Sequence, residues 1–482
     1  MSDRLGEAQE GITRHGRAVP RGQDPETEND PARSGFGRLF SPPEPCQVSD
    51  EAIDALTRWM GADDNPLRDN SSIPAGYTYL GQFIDHDISF DPTPLAQRAP
   101  KDPVVNLRTP RLDLDSLYGA GPKDQPFLYD WKESRLPGIR LLVGRNGFDA
   151  VEDLPRNQQG RALIGDARND ANAIVSQLHL LFIRFHNAVV DHLARQGTAK
   201  DELFKQAQQI VRWHYQWIVV HEFLQKVVGA EIADSVLSPG DARTHPTVHR
   251  EFYLPTDAPF IPFEFSGATF RFGHSMVRPE YGIKRLPDDG EPVYPTAILP
   301  DLGGLTWLQE AQVIDWERFF ELPWLPSTPR QVQYSMRIDT SIARPLFDVP
   351  DGVPELPRRN LTRGVELKLP SGQVVAGKMG QVALSDDQLQ LDKLDPGVRE
   401  ELRATTPLWY YVLCEAPDGR RLGPIGGRIV AEVLVGLLAD DRNSYLSKKP
   451  SWRPDLGSGG DFTMADLVRI AQTPPGQPLP GT

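Results

Sequence analysis

Residues 171–195 read ANAIVSQLHLLFIRFHNAVVDHLAR, and their period decides the fold class. Ile174, Leu178, Leu181, Phe185 and Val189 recur at three- and four-residue spacing, which puts them on one stripe of an α-helix. Just ahead, Asn169 and Asp170 are both residue types whose side-chain oxygen caps an orphan backbone N–H at a helix start. Outward from this run, a second helix is expected over 201–228 and a third over 429–438. Strand-like alternation is short and scattered. No G-x-G-x-x-G follows a strand, which argues against the βαβ units of a dinucleotide fold. The expectation is a mainly α protein with very little β structure. It has a single large helical domain over residues 73–482 behind a polar, Gly- and Pro-rich arm over 1–72. Pro-rich stretches between 284 and 358 read as surface connections around one core.

Charge narrows the partners. Against 66 Asp and Glu stand 52 Lys and Arg, a formal net charge of -14, so nucleic acid and anionic lipid are poor partners. Cys46 and Cys414 are too few for a disulfide framework or for a site held by four thiolates. The N-terminal residues carry no apolar h-region, which makes a cytoplasmic location the default and leaves non-classical secretion as the other route. No run of about twenty apolar residues reads as a membrane span, so no membrane insertion is expected.

Three segments carry chemistry. In GYTYLGQFIDHDISFD, residues 76–91, Gln82 and His86 are four apart and face one way on a helix, and Asp85 and Asp87 bracket the histidine. Such a histidine suits a divalent metal site, a base with an orienting carboxylate, or a solvated turn. In GDARNDANAIVSQLH, residues 165–179, Arg168 precedes the long helix, either as a functional cation or as a salt-bridging surface residue. In FSGATFRFGHSMV, residues 265–277, His274 sits among apolar neighbours, either as a ligand or as a neutral core imidazole. His179, His186, His192, His214 and His221 read as structural histidines of two helices.

In this order and spacing, the three segments resemble the peroxidase–cyclooxygenase superfamily, the animal-type haem peroxidases, and most of all its short bacterial members. The resemblance covers about residues 73–450. It implies that His86 is the distal histidine, Gln82 the distal glutamine, Arg168 the distal arginine and His274 the proximal ligand of haem iron. It further implies that Asn360 accepts a hydrogen bond from the proximal imidazole and that Arg271 holds a haem propionate. A calcium site would draw on Asp87, Thr109, the carbonyl of Arg111, Asp113 and Asp115, and alternating oxygen ligands do suit a hard cation. On this view His86 moves the proton of hydrogen peroxide, and Arg168 offers a positive fork to the departing oxygen.

The pattern breaks at the haem ester positions. Asp85 matches the ester-forming aspartate, but Ala171 stands where the glutamate belongs and Asn172 where one branch carries a sulfonium-forming methionine. The cofactor is therefore expected to be haem b, or a derivative with one ester through Asp85, with Asp170 a remote substitute for the glutamate. The radical-forming tyrosine of the lipid oxygenase branches is replaced by Arg271. The expected activity is an oxidoreductase that reduces hydrogen peroxide and oxidises phenols, aromatic amines, halides or thiocyanate. Two other readings are an oxygenase for one organic substrate and a catalytically impaired haem-binding interaction protein. The reducing substrate and the oligomeric state are not legible at this level.

Overall fold

A computed structural model describes residues 35–480 apart from 41–43, 63–68, 92–105, 134, 148–150, 241–244, 257, 286–295, 298–301, 305, 326–330 and 351. Helix makes up 47% and strand 8%, which settles a mainly α single domain. Every sheet among the described residues is a two-stranded piece.

The helix of the opening segment runs Ala173–Arg195 (α3 in the numbering used here). Its five stripe residues are all at most 2% exposed, each contributing on the order of 1.5–3 kcal/mol by leaving water. By length and apolarity this helix would cross a bilayer, contrary to the sequence expectation, yet 83% of its apolar window is buried inside the protein. It works as the core helix. The cap differs from expectation. Asn172, not Asn169 or Asp170, accepts from the N–H groups of Ile174 and Val175, while Ala167–Asp170 form a separate 3-10 turn. A run of three capping residue types within four positions leaves local propensity unable to choose.

Two further helices frame α3. Helix α2, Gly76–Ile88, packs on it through Phe83, whose ring stacks on Phe182 at 4.7 Å. The start of α2 needs glycine, since a Cβ on Gly76 would lie 2.4 Å from the Phe320 ring and 2.6 Å from the Phe319 carbonyl. Helix α4, Lys200–Ile218, runs on through a π-helical turn, Val219–Phe223, into Leu224–Val228. That widened turn places Glu222 where it accepts from the Tyr77 hydroxyl at 2.5 Å and the Met464 N–H at 2.7 Å.

The boundary at residue 72 falls in the wrong place for the described part of the arm. Asp50–Met60 forms helix α1, capped by Ser49, with Ile53, Leu56 and Met60 buried in the common core. Residues 69–74 pair antiparallel with 334–336, and Phe36–Gly37 pair in parallel with Ile261–Pro262. The amphipathic spacing of α1 was present in the sequence, inside a polar composition that masked it.

Candidate active site

One cavity of about 280 Å³ gathers residues far apart in sequence: Gln82, Asp85 and His86 from α2, Asn172 from the cap of α3, and Arg271 and His274 from the turn Thr269–His274. The exposed-side residues of α2, Gln82 and Asp85, line it because the other faces of that helix are buried in the core.

His86 is 7% exposed, and burial followed by the neighbouring Arg168 charge pushes its imidazole down to about 4. It is therefore neutral around pH 7. Its Nδ1 lies 2.8 Å from Asn169 Oδ1, and Asn169 Nδ2 lies 3.1 Å from His179 Nδ1. The sequence reading had Asn169 only as a cap candidate and His179 only as a structural histidine, because their contacts here close across the chain. Gln82 Oε1 accepts from Asn172 Nδ2 at 3.2 Å, so the residue in place of the methionine orients the glutamine.

Arg168 sits beside His86 but outside the cavity lining. Its Nη2 donates to the carbonyls of His86 (3.0 Å) and Ser89 (2.7 Å), and Nε and Nη2 both reach the Asp166 carboxylate. The guanidinium lies 4.4 Å over the Phe90 ring. Burial opposes ionisation of Asp166, but Arg168 and Arg108 prevail and hold its carboxyl down to about 2. Arg168 thus holds the backbone of the histidine through Nη2.

On the other side, burial followed by the Arg271 charge pushes His274 down to about 3, and its ring lies edge-on to Trp409. Asn360 contacts it, with Nδ2 2.7 Å from His274 Nδ1. The expected polarity is reversed here, because Arg271 Nη1 donates to Asn360 Oδ1 at 2.9 Å and takes the acceptor. Arg271 Nε donates to the Ser266 carbonyl. Burial followed by the Arg363 charge holds this guanidinium down to about 10, against the opposing pull of Asp85.

Asp85 lines the cavity and accepts from Ser89 Oγ at 2.9 Å. Ala171 is exposed. Asp170, the remote substitute, is excluded by its partner. Both its oxygens are taken by Arg156, at 2.7 and 2.8 Å, and it is 1% exposed.

Behind α2, Asp87, Asp113 and Asp115 each present a carboxylate oxygen within 4.8 Å of the others. Asp87 is fully buried and accepts from the Leu114 N–H and from Ser116 Oγ, a contact the sequence reading missed. Thr109 Oγ1 donates to Asp113, and Arg111 lies between them in the same loop. Burial pushes Asp115 up to about 7 despite its ion pair with Arg108. Three acids this close with one cationic partner are a donor set for a hard cation.

Comparisons with known proteins point the same way. The animal haem peroxidase model matches residues 93–297. Thyroid peroxidase of Rattus norvegicus is 26% identical over 199 residues, which cover 38% of this chain and 20% of that protein. Heme peroxidase 2 of Caenorhabditis elegans is 31% identical over 193 residues, covering 38% and 25%. The chain therefore spans a quarter or less of these two curated relatives. Peroxidase A of Dictyostelium discoideum has the same fold, with a TM-score of 0.66 at 16% identity over 93% of this chain and 94% of that one. A fatty acid alpha-dioxygenase of Oryza sativa also shares it, with a TM-score of 0.59 at 14% identity, covering 89% and 78%.

Proposed function

We infer that this chain is a member of the animal-type haem peroxidase superfamily and a haem-dependent peroxidase that reduces hydrogen peroxide at the expense of a small donor. One observation carries the reading: a single cavity is lined by two histidines, both kept neutral by burial, together with Gln82, Asp85 and Arg271. A neutral imidazole is what iron ligation and proton abstraction each require. Beside the proximal histidine, a Cβ on Gly273 would meet nothing within 4 Å, so the chain leaves room there. Arg271 is a partly buried cation facing the cavity, hydrogen-bonded to neutral groups and with Asp85 as its nearby opposite charge, which suits a carboxylate of haem. The residues fit the group. The likeness to short bacterial members belongs to this reading and rests on the three motif segments alone.

When bound, haem supplies the iron that takes peroxide oxygen and stores its oxidising equivalents. His274 would hold that iron through Nε2. Its ring proton then belongs on Nδ1, so Asn360 must offer Oδ1, the atom Arg271 now occupies. The contact of Arg271 with an anionic haem edge and the turn of the Asn360 amide go together. On the peroxide side, His86 Nε2 accepts a proton from the inner oxygen and returns it to the departing one. Gln82 orients the peroxide, and the Arg168 charge behind His86 keeps the ring free to accept. Phenols, aromatic amines, halides and thiocyanate are the donor classes this chemistry oxidises. The test is the absorption spectrum of the haem-reconstituted ferric protein before and after one equivalent of hydrogen peroxide. A rapid Soret change reversed by a phenol or iodide is expected, and an unmoved Soret band rejects the reading.

Two parts of the proposal have their own tests. Among the described residues only Asp85 offers a cavity carboxylate for an ester, so peroxide treatment is expected to give at most one haem–protein bond. Denaturing mass spectrometry should find the adduct in the parent chain and none in Asp85→Asn; an adduct surviving that substitution rejects Asp85 as the attachment point. Calcium at Asp87, Asp113 and Asp115 would stabilise the fold by binding only the folded state, about 2.7 kcal/mol at a hundredfold excess over Kd. Chelation should lower the melting temperature and weaken the peroxide response, since Asp87 adjoins His86. Identical melting with and without a chelator rejects the site.

A further inference from the structure

We propose that Asn169 is a positioning residue that decides which ring nitrogen of His86 carries the proton, and that His179 decides the orientation of Asn169. Asn169 is fully buried in the turn Ala167–Asp170, and His179, 1% exposed, projects from α3. The Asn169 side chain lies between two imidazoles, with Oδ1 2.8 Å from His86 Nδ1 and Nδ2 3.1 Å from His179 Nδ1. A carboxamide is an acceptor at one end and a donor at the other. Held between two Nδ1 atoms, it imposes opposite tautomers on the two rings. His86 carries its proton on Nδ1 and leaves Nε2 bare. His179 leaves Nδ1 bare and carries its proton on Nε2.

Burial makes the arrangement stiff, because reversing the amide without moving both protons would leave two mismatched pairs in a site shut off from water. With the opposite tautomer, His86 Nε2 would already hold a proton and could not accept another. Arg168, the next residue back, grips the His86 carbonyl at 3.0 Å. Adjacent residues of one turn thus hold the histidine by backbone and by ring. What Asn169 does for peroxide rests on the peroxidase reading; what it does to the His86 ring does not.

The experiment has two arms. Haem-free full-length protein carrying ¹⁵N-histidine is examined by long-range ¹H–¹⁵N correlation at neutral pH, with His86→Gln and His179→Phe assigning the two rings. The parent should show His86 protonated at Nδ1 and His179 at Nε2. Asn169→Leu should lose the single His86 tautomer. Asn169→Asp keeps an acceptor and should keep it, while moving the His179 proton to Nδ1. In the haem-loaded protein, Asn169→Leu should slow the peroxide-driven Soret change about a hundredfold with an unchanged ferric spectrum, and Asn169→Asp should restore most of the rate. A parent His86 protonated at Nε2, or an unchanged His86 pattern in Asn169→Leu, overturns the proposal. A lost tautomer with an undiminished rate overturns its role in the reaction. If Asn169→Leu does not fold, Asn169→Asp and His179→Phe decide the matter. If the parent Soret band ignores peroxide, the peroxidase reading fails while the haem-free spectra still judge Asn169.

Discussion

Replacing His86 by leucine should slow the Soret response of the haem-loaded protein to hydrogen peroxide by about 10²–10⁴-fold, the usual span for losing a positioned general base. In free energy that is roughly 3–5 kcal/mol of barrier. The ferric spectrum and haem retention should stay close to the parent's, because His86 is not the residue assigned to the iron. Leucine keeps the volume and the apolar contacts of a 7% exposed side chain, so the loss reports the missing nitrogen. Arg168 should lose its anchor only in part, since it holds the backbone carbonyl of residue 86 and that of Ser89. Stopped-flow absorbance against peroxide concentration separates slower reaction from weaker haem binding. A rate within about threefold of the parent, far short of the expected span, would remove His86 from the chemistry and leave the cavity without a base.

Legibility followed sequence distance. The core helix could be read from one stripe, because Ile174 to Val189 repeat within a single element and burial enforces the period. His86, Gln82 and Asp85 were legible as a group for the same reason, all lying on one helix face. Contacts that close across the chain were not. Asn169 was read as a cap candidate, but the fold gives capping to Asn172 and turns the Asn169 amide between two histidines. His179 looked like one of several core histidines, which it is by burial and is not by hydrogen bonding. The partners of Arg168 were not legible either: its Nε and Nη2 bind Asp166, two residues away, and Nη2 also binds carbonyls from α2 and the residue after it. The Asn360–His274 pair was expected, and the reversed amide follows from Arg271, whose hold on Oδ1 no pattern of spacing announces.

Arg156→Met should lower the unfolding free energy of the haem-free protein by about 3–5 kcal/mol, the cost of removing one partner from a buried ionic cluster. Arg156 is 2% exposed and binds Asp153 through Nε and Nη2, Asp170 through Nη1 and Nη2, and the Gly160 carbonyl. Removing it takes a shared cation from two carboxylates that are 2% and 1% exposed. Asp153 keeps the Leu154 and Leu308 N–H groups, and the other carboxylate is that of Asp170. That residue closes the turn bearing Arg168 and Asn169, and its backbone is packed so tightly that a Cβ on Gly304 would sit 1.7 Å from its carbonyl oxygen. The turn has no room to relax toward Gly304, so the loss of Arg156 is expected to be felt at Arg168 and Asn169. Asp170→Asn, which removes the charge but keeps a partner for Arg156, should cost less, about 1.5–3 kcal/mol. Urea titrations compare the three proteins through their midpoints at constant slope. If both variants unfold at the parent midpoint, the cluster does not brace the turn, and the fixed position of Arg168 and Asn169 must come from α3 alone.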